Sequence, residues 1–246
     1  MRIQTVFKRY EVKFMLNQTE KKIVLEKISP YMELDEYKKT TIRNIYFDTH
    51  NYRLIRRSLE RPDYKEKLRL RSYCKADENS DIFVEIKKKY DKVVYKRRLM
   101  LNEKAALDWI CNKKPCPLSS QIASEIDYFV SFYETLSPVI FLSYDREAYY
   151  EKSGGDIRIT FDNNILCREN DLSLSSEIYG KEILPKDMTL MEIKCSGGIP
   201  LWLTQILSEH KIYKTSFSKY GTAYTNIIFP KLNLKEKEVK EYAKIQ

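Results

Sequence analysis

Three times along the chain a glutamate precedes a lysine by two residues: Glu11 and Lys13, Glu85 and Lys87, Glu192 and Lys194. On a β-strand that spacing sets acid and base side by side on one face. Other segments carry cations at the same period. In YKEKLRLRSY, Lys65, Lys67, Arg69 and Arg71 alternate with Glu66, Leu68 and Leu70. In FVEIKKK, Glu85, Lys87 and Lys89 oppose Val84 and Ile86, and after Asp91-Lys92 a third segment puts Lys96 and Arg98 on one face. Arg9, Arg146, Arg158 and Lys219 add cations elsewhere. Lys and Arg neutralise phosphate oxygens, and a scattered carboxylate holds a hard divalent cation against them. The pattern therefore suits a polyphosphate. A Glu that merely pairs with a neighbouring Lys is the plain alternative to a metal ligand.

Two readings of the basic face follow. An antiparallel sheet commonly turns a charged face to water. Such a face usually mixes signs, because like charges directly opposite on neighbouring strands repel. Three successive strands of one sign are self-destabilising unless something anionic sits on them, and that favours a polyanion site.

The elements that must position these residues belong to a chain of 246 residues, with 44 Lys+Arg against 35 Asp+Glu and a net charge of +9. The length can bury a sizeable core. The 19 Tyr and 10 Phe mark a globular chain rather than a disordered one. The positive balance suits nucleic acid, a phosphorylated small molecule or a membrane surface, and does not choose among them. The 5 cysteines are odd in number, and Cys111 and Cys116 lack a second pair to complete a zinc knuckle. With His50 and His210 the only histidines, a catalytic metal would rest on carboxylates, favouring Mg²⁺ or Mn²⁺ over zinc. No signal-like or membrane-length apolar run is present, so a soluble, cytoplasmic chain is expected.

The spacing predicts a first strand over Phe7–Met15 and a short helix from the Asn17/Glu20 capping box to near Pro30. It predicts further strands over Thr40–Phe47, the three basic segments, Pro138–Tyr150, Asp156–Asp162 and Met188–Cys195. The segment Asn51–Glu60 fits either a helical turn or an irregular crossover. Helices are expected after Asn102, over Ser119–Leu136 and from Pro200, with a final short helix or turn after SFSKYG. Tyr and Phe fall largely on the faces opposite the cations, as core. No linker divides the chain, and one domain is the simpler reading.

Eight ordered motifs carry a resemblance: RYEVKF (Arg9–Phe14), IYFDT (Ile45–Thr49), RPDYKEKLRLRSY (Arg61–Tyr73), VEIKKK (Val84–Lys89), SYDREAY (Ser143–Tyr149), DIRITFD (Asp156–Asp162), MEIKC (Met191–Cys195) and SFSKYG (Ser216–Gly221). Together they resemble the VTC-type polyphosphate polymerase domain of the CYTH-like triphosphate tunnel metalloenzymes, over Phe7 to Phe229. The resemblance implies an α+β fold: an antiparallel, barrel-like tunnel of about eight strands, basic inside, with helices packed outside. The domain would span residues 1–230, leaving 231–246 as a charged C-terminal tail. It also implies Mn²⁺- or Mg²⁺-dependent transfer of the ATP γ-phosphate onto a growing inorganic polyphosphate chain. By motif, Arg69, Arg71, Lys87, Lys96, Arg146, Arg158 and Lys219 would bind the triphosphate. Glu192 would be the metal carboxylate, and Arg9 or Lys13 would place the acceptor phosphate. Lys194 and Arg98 join the substrate set by strand parity, and Glu11 and Glu85 are further metal candidates.

Two other functions compete. A triphosphatase would use the same fold with water as acceptor. A non-catalytic polyphosphate- or RNA-binding module would use the same cations, but single-strand binders interleave aromatics on the basic face for base stacking. No nucleic-acid partner is therefore expected.

Overall fold

The structure, a computed structural model, describes residues 5–77 and 79–234. β1 (Val6–Asn17) runs straight into α1 (Gln18–Ile28). The junction is the expected capping box: the Asn17 side chain accepts from the Glu20 amide, and the Glu20 carboxylate accepts from the Asn17 amide. There follow β2 (Met32–Asp48), α2 (Arg53–Leu59), β3 (Tyr64–Ser72), β4 (Asp81–Tyr90), β5 (Val93–Asn102), α3 (Glu103–Ile110) and α4 (Gln121–Phe132). Next come β6 (Ser137–Glu151), β7 (Arg158–Arg168), β8 (Lys181–Glu182), β9 (Met188–Cys195), α5 (Leu201–Glu209), β10 (Lys214–Thr215) and α6 (Lys219–Ala223). A π-helical turn, Tyr224–Ile228, continues α6.

The strands pair antiparallel in the order β1–β5–β4–β3–β2–β6–β7, and β9 bridges β7 back to β1. Eight strands thus close a ring, the α+β arrangement the motifs implied, with β8 and β10 as two-residue additions. The β4–β5 hairpin turns at Asp91 and Lys92, whose φ of 42° and 68° suit a tight two-residue loop.

The ring inverts the usual distribution of polarity. Leu68, Leu70, Val84 and Ile86 point outward and pack with Trp109 of α3 and Ile126 and Phe129 of α4. On the far side Phe14, Leu16, Phe161 and Ile193 pack with Val24 and Ile28 of α1 and Leu203 and Ile206 of α5. Each such side chain contributes about 1.5–3 kcal/mol on full burial, so the helices hold the sheet from outside. Inside, one end of the ring is filled by a third cluster, where Tyr46, Ile140, Leu142, Ile165 and Cys167 meet Ile55 of α2 and Tyr220 and Ala223 of α6. The fully buried Asp48 carboxylate ties that plug together. It accepts from the Leu54 and Ile55 amides at 2.8 and 3.0 Å and from the Tyr220 hydroxyl at 2.8 Å.

Several expected boundaries move. β2 begins at Met32 rather than Thr40, because a bulge between Leu34 and Lys39, with Lys38 at φ 49°, breaks its alternation. The ambiguous Asn51–Glu60 stretch contains the helix α2, started by Asp48 in place of an N-cap side chain. β7 continues past Asp162 to Arg168 through a bulge at Asn164, φ 48°. The last helix starts inside SFSKYG, where the Ser218 side chain accepts from the Gly221 amide. A Cβ on Gly221 would sit 3.0 Å from Ser218 Cβ, so the motif's glycine answers a close approach. Helical backbone runs through residue 234, and the rest of the expected tail lies outside the described residues. No helix among the described residues is long and apolar enough to cross a membrane.

Candidate active site

Alternation along the ring strands sends every second side chain inward, and those side chains are mostly cations. Among the described residues, thirteen Lys and Arg and two Glu line a cavity of about 500 Å³. Of the residues expected at the site, Arg9, Glu11, Lys13, Arg69, Arg71, Lys87, Lys96, Arg146, Glu192, Lys194 and Lys219 all line it.

Three do not. Arg158 stands at the rim with its side chain half exposed, donating to Asp35 at 2.8 Å. The Arg98 guanidinium lies over the rings of Phe83 (4.3 Å) and Phe7 (5.1 Å). Glu85 is 1% exposed and sits behind the cations instead of beside the cavity. Its Oε2 accepts from Arg69 Nε and Nη2 at 2.9 and 2.7 Å, with Arg71 Nε at 3.7 Å, and its Oε1 accepts from Lys96 at 3.2 Å. Both oxygens are spent on cations, so Glu85 anchors Arg69, Arg71 and Lys96 where a metal role was expected.

Other cavity residues were not in the expected set. Lys65, Lys67 and Lys89 complete the basic faces of β3 and β4, and Lys214 arrives from β10. Tyr46 and Tyr144 also line the cavity, against the expectation that aromatics face away. Both are buried, and their hydroxyls accept from Arg69 (2.7 Å) and Arg71 (3.0 Å). They fix guanidinium groups and offer no free ring to a base. Parity with Arg146 was the signal for Tyr144. Asp162 was missed as well: fully buried, it accepts from Arg146 Nε and Nη2 at 2.7 and 2.8 Å and from Lys219 at 2.5 Å.

At one end the SFSKYG segment crosses the cavity. Lys13 donates to the Phe217 carbonyl at 2.6 Å and Lys67 to the Ser218 hydroxyl at 3.1 Å. Lys13 also lies 3.4 Å from Glu192 Oε1. Burial, then Lys13 and Lys87, push Lys67 down to about 7. Burial also pushes Lys96 down to about 7, with Glu85 opposing and Arg71 and Arg69 adding to the fall. Glu192 is lowered too, which for an acid favours the charged form. Burial opposes ionisation of Glu192, yet Lys219, Lys194, Lys13 and Arg146 hold its carboxyl well below the usual range. The cavity is thus a dense array of desolvated cations, outnumbering the carboxylates beside them, which suits an anion.

Among the described residues Glu11 and Glu192 are the two carboxylates that line the cavity, and the β1–β9 register makes them diagonal neighbours: Glu11 opposes Lys194, and Lys13 opposes Glu192. Among the described residues no three His, Cys, Asp or Glu side chains form a metal cage. Mg²⁺-type sites commonly use only one or two carboxylates and complete their shell with water and substrate phosphates. The residues present fit that kind of site only by exchange of partners: Glu11 pairs with Lys87 at 2.5 Å, and Glu192 with Lys194 at 3.1 Å and Lys13 at 3.4 Å, so a divalent cation there would displace lysines.

Comparisons with known proteins agree with this geometry. Among solved structures, a Bacillus halodurans protein assigned as an adenylate cyclase shares the fold at TM-score 0.54 and 14% identity, covering 87% of this chain and 96% of its own. A Hippeastrum protein, assigned as an adenylyl cyclase and found to have a dominant triphosphatase activity, matches at TM-score 0.55 and 17% identity, over 88% of this chain and 95% of its own. No curated protein matches. The family described as the VTC domain matches residues 8–228, nearly the whole described ring, and the chain belongs to that family.

Proposed function

We propose that this chain transfers the terminal phosphate of ATP onto inorganic polyphosphate inside the basic ring, as one domain over residues 1–230 acting in the cytoplasm. One observation carries the reading: thirteen cations surround the cavity, more than the three phosphoryl groups of a nucleotide can meet. Arg69, Arg71 and Lys96 grip one stretch of phosphate, Arg146 and Lys219 the next. Lys65, Lys67, Lys89 and Lys214 keep further phosphates of a product or acceptor chain bound. Arg9 and Lys13 set the acceptor end. Phosphoryl transfer needs the attacking and leaving oxygens in line and the developing charge neutralised, with no nucleophilic side chain. Glu192, with Glu11, would hold Mn²⁺ or Mg²⁺, which when bound would neutralise charge on the phosphoryl oxygens.

Water as the acceptor is the second reading, and the triphosphatase activity of the Hippeastrum protein favours it. Incubation with ATP and Mn²⁺ separates the two: the proposal expects ADP with a polyphosphate ladder on a urea gel. Orthophosphate in step with ADP, and no polymer under varied metal and acceptor, would establish the triphosphatase instead.

A further inference from the structure

Lys67 lines the cavity with cations for its charged neighbours. Its Nζ donates to the Ser218 hydroxyl at 3.1 Å and lies 5.8 Å from the centre of the Tyr220 ring on α6. Among the described residues no carboxylate pairs with it. The charges that act on it most strongly are Lys13 from β1, Lys87 from β4, and Lys65 and Arg69 from its own strand β3. With burial they bring it down to about 7. Near pH 7.5 about three-quarters of such an amine is free, against about one in a thousand for an ordinary lysine.

Other cavity lysines are tied down. Lys96 reaches the same value, but it donates to Glu85 at 3.2 Å and lies 4.2 Å from the Phe7 ring. Lys13 is held by the Phe217 carbonyl at 2.6 Å and Glu192 at 3.4 Å. Lys194 donates to Thr160 at 2.7 Å and pairs with Glu192 at 3.1 Å. Lys67 has one neutral hydroxyl to leave. A desolvated amine among cations is an activated nucleophile. Here the same cations concentrate any electrophile that carries its own phosphate.

We propose that Lys67 is a covalent modification site for small acyl phosphates, and that its acylation weakens anion binding in the cavity. Lys67 Nζ attacks the carbonyl carbon, and a carbon–nitrogen bond forms. The bond from that carbon to the bridging oxygen breaks. Orthophosphate leaves with the electron pair and takes up the amine proton, while the surrounding cations neutralise its charge. The product is an uncharged amide that fills space beside Ser218 and removes one cation from the array. The proposal goes beyond phosphoryl transfer and does not depend on which acceptor that reaction uses.

The test treats the protein with acetyl phosphate at pH 7.5 and follows acetylation of each lysine by peptide mass spectrometry. Lys67 should react about tenfold or more faster than the exposed Lys22 and Lys104. Its rate should level off above about pH 8, while theirs climb on towards about pH 10. Saturating tripolyphosphate should abolish the advantage, by filling the cavity and reprotonating the amine. An acetyl donor without charge, the N-hydroxysuccinimide ester, should lose most of the selectivity, which separates recruitment by phosphate from reactivity alone. Treatment should weaken tripolyphosphate binding by the parent severalfold. Lys67→Arg, which keeps a cation and removes the nucleophile, should bind tripolyphosphate equally before and after treatment. The mapping on the parent stands even if that variant does not fold. Acetylation spread evenly over exposed lysines, or falling on Lys96 or Lys13 in place of Lys67, would overturn the proposal. So would a rate at Lys67 that still rises about tenfold per pH unit from about 8 to 10, no protection by tripolyphosphate, or equal selectivity with the uncharged donor.

Discussion

Arg69 grips Glu85 through two hydrogen bonds, 2.9 Å from Nε and 2.7 Å from Nη2, across a single rung of the β3–β4 ladder. The same carboxylate holds Lys96 at 3.2 Å. Removing one member of a buried ion pair leaves uncompensated charge and costs about 3–5 kcal/mol. Glu85→Gln should destabilise the ligand-free protein by about that amount in a denaturant melt. Tripolyphosphate, which supplies anionic partners to the orphaned cations, should recover much of the loss. An equal loss with and without tripolyphosphate would show that Glu85 supports the fold independently of the anion site.

The depressed lysines make ligand-free stability depend on pH. Lys67 and Lys96 fall from 10.5 to about 7 in the folded protein, chiefly through burial. Between those values the unfolded chain still holds protons that the folded chain has released, so stability rises with pH from about 7 to about 10. Below about 7 both states hold them and the slope from these groups vanishes. A bound polyanion raises both groups again, so binding takes up protons. Calorimetry near pH 8, in buffers of different ionisation enthalpy, should show net uptake that shrinks in Lys67→Met. No uptake would contradict the burial-driven shift.

The cations should not weigh equally. Arg71 is 5% exposed, lines the cavity and is aimed by Asn44 (2.9 Å) and Tyr144 (3.0 Å). A charge-assisted hydrogen bond is worth about 1.5–3 kcal/mol, so Arg71→Ala should weaken tripolyphosphate binding about ten- to a hundredfold. Arg158, half exposed and paired with Asp35, should cost about threefold or less when changed to Ala. Ligand-induced shifts in melting midpoint would rank the two. Equal effects would place Arg158 in contact with the anion.

What could be read from residues alone follows where period two survives. β3, β4 and β5 were legible because cations and aliphatics alternate without interruption and a two-residue turn separates β4 from β5. The first half of β2 was hidden: residues such as Glu33, Glu36 and Lys39 are exposed and polar on both sides of the bulge, and alternation has nothing to report. Asp162 was hidden for a different reason. At the end of DIRITFD a lone acid marks the end of a strand, and only the closed ring shows it meeting Lys219 from a segment 57 residues away. Glu85 and Glu192 share the same Glu-x-Lys spacing, yet one backs the cations and the other lines the cavity. Spacing gives a face, and depth within the ring decides the role.

The central claim is that the acceptor is a phosphate chain held in the ring, at an effective concentration that outcompetes water. Its most direct test follows γ-labelled ATP with Mn²⁺ over a few turnovers and asks where the label goes. Label in acid-insoluble polyphosphate, with orthophosphate a minor fraction that falls further when short polyphosphate is added, is the result expected here. Label released as orthophosphate in step with ADP, and indifferent to added polyphosphate, would contradict the claim.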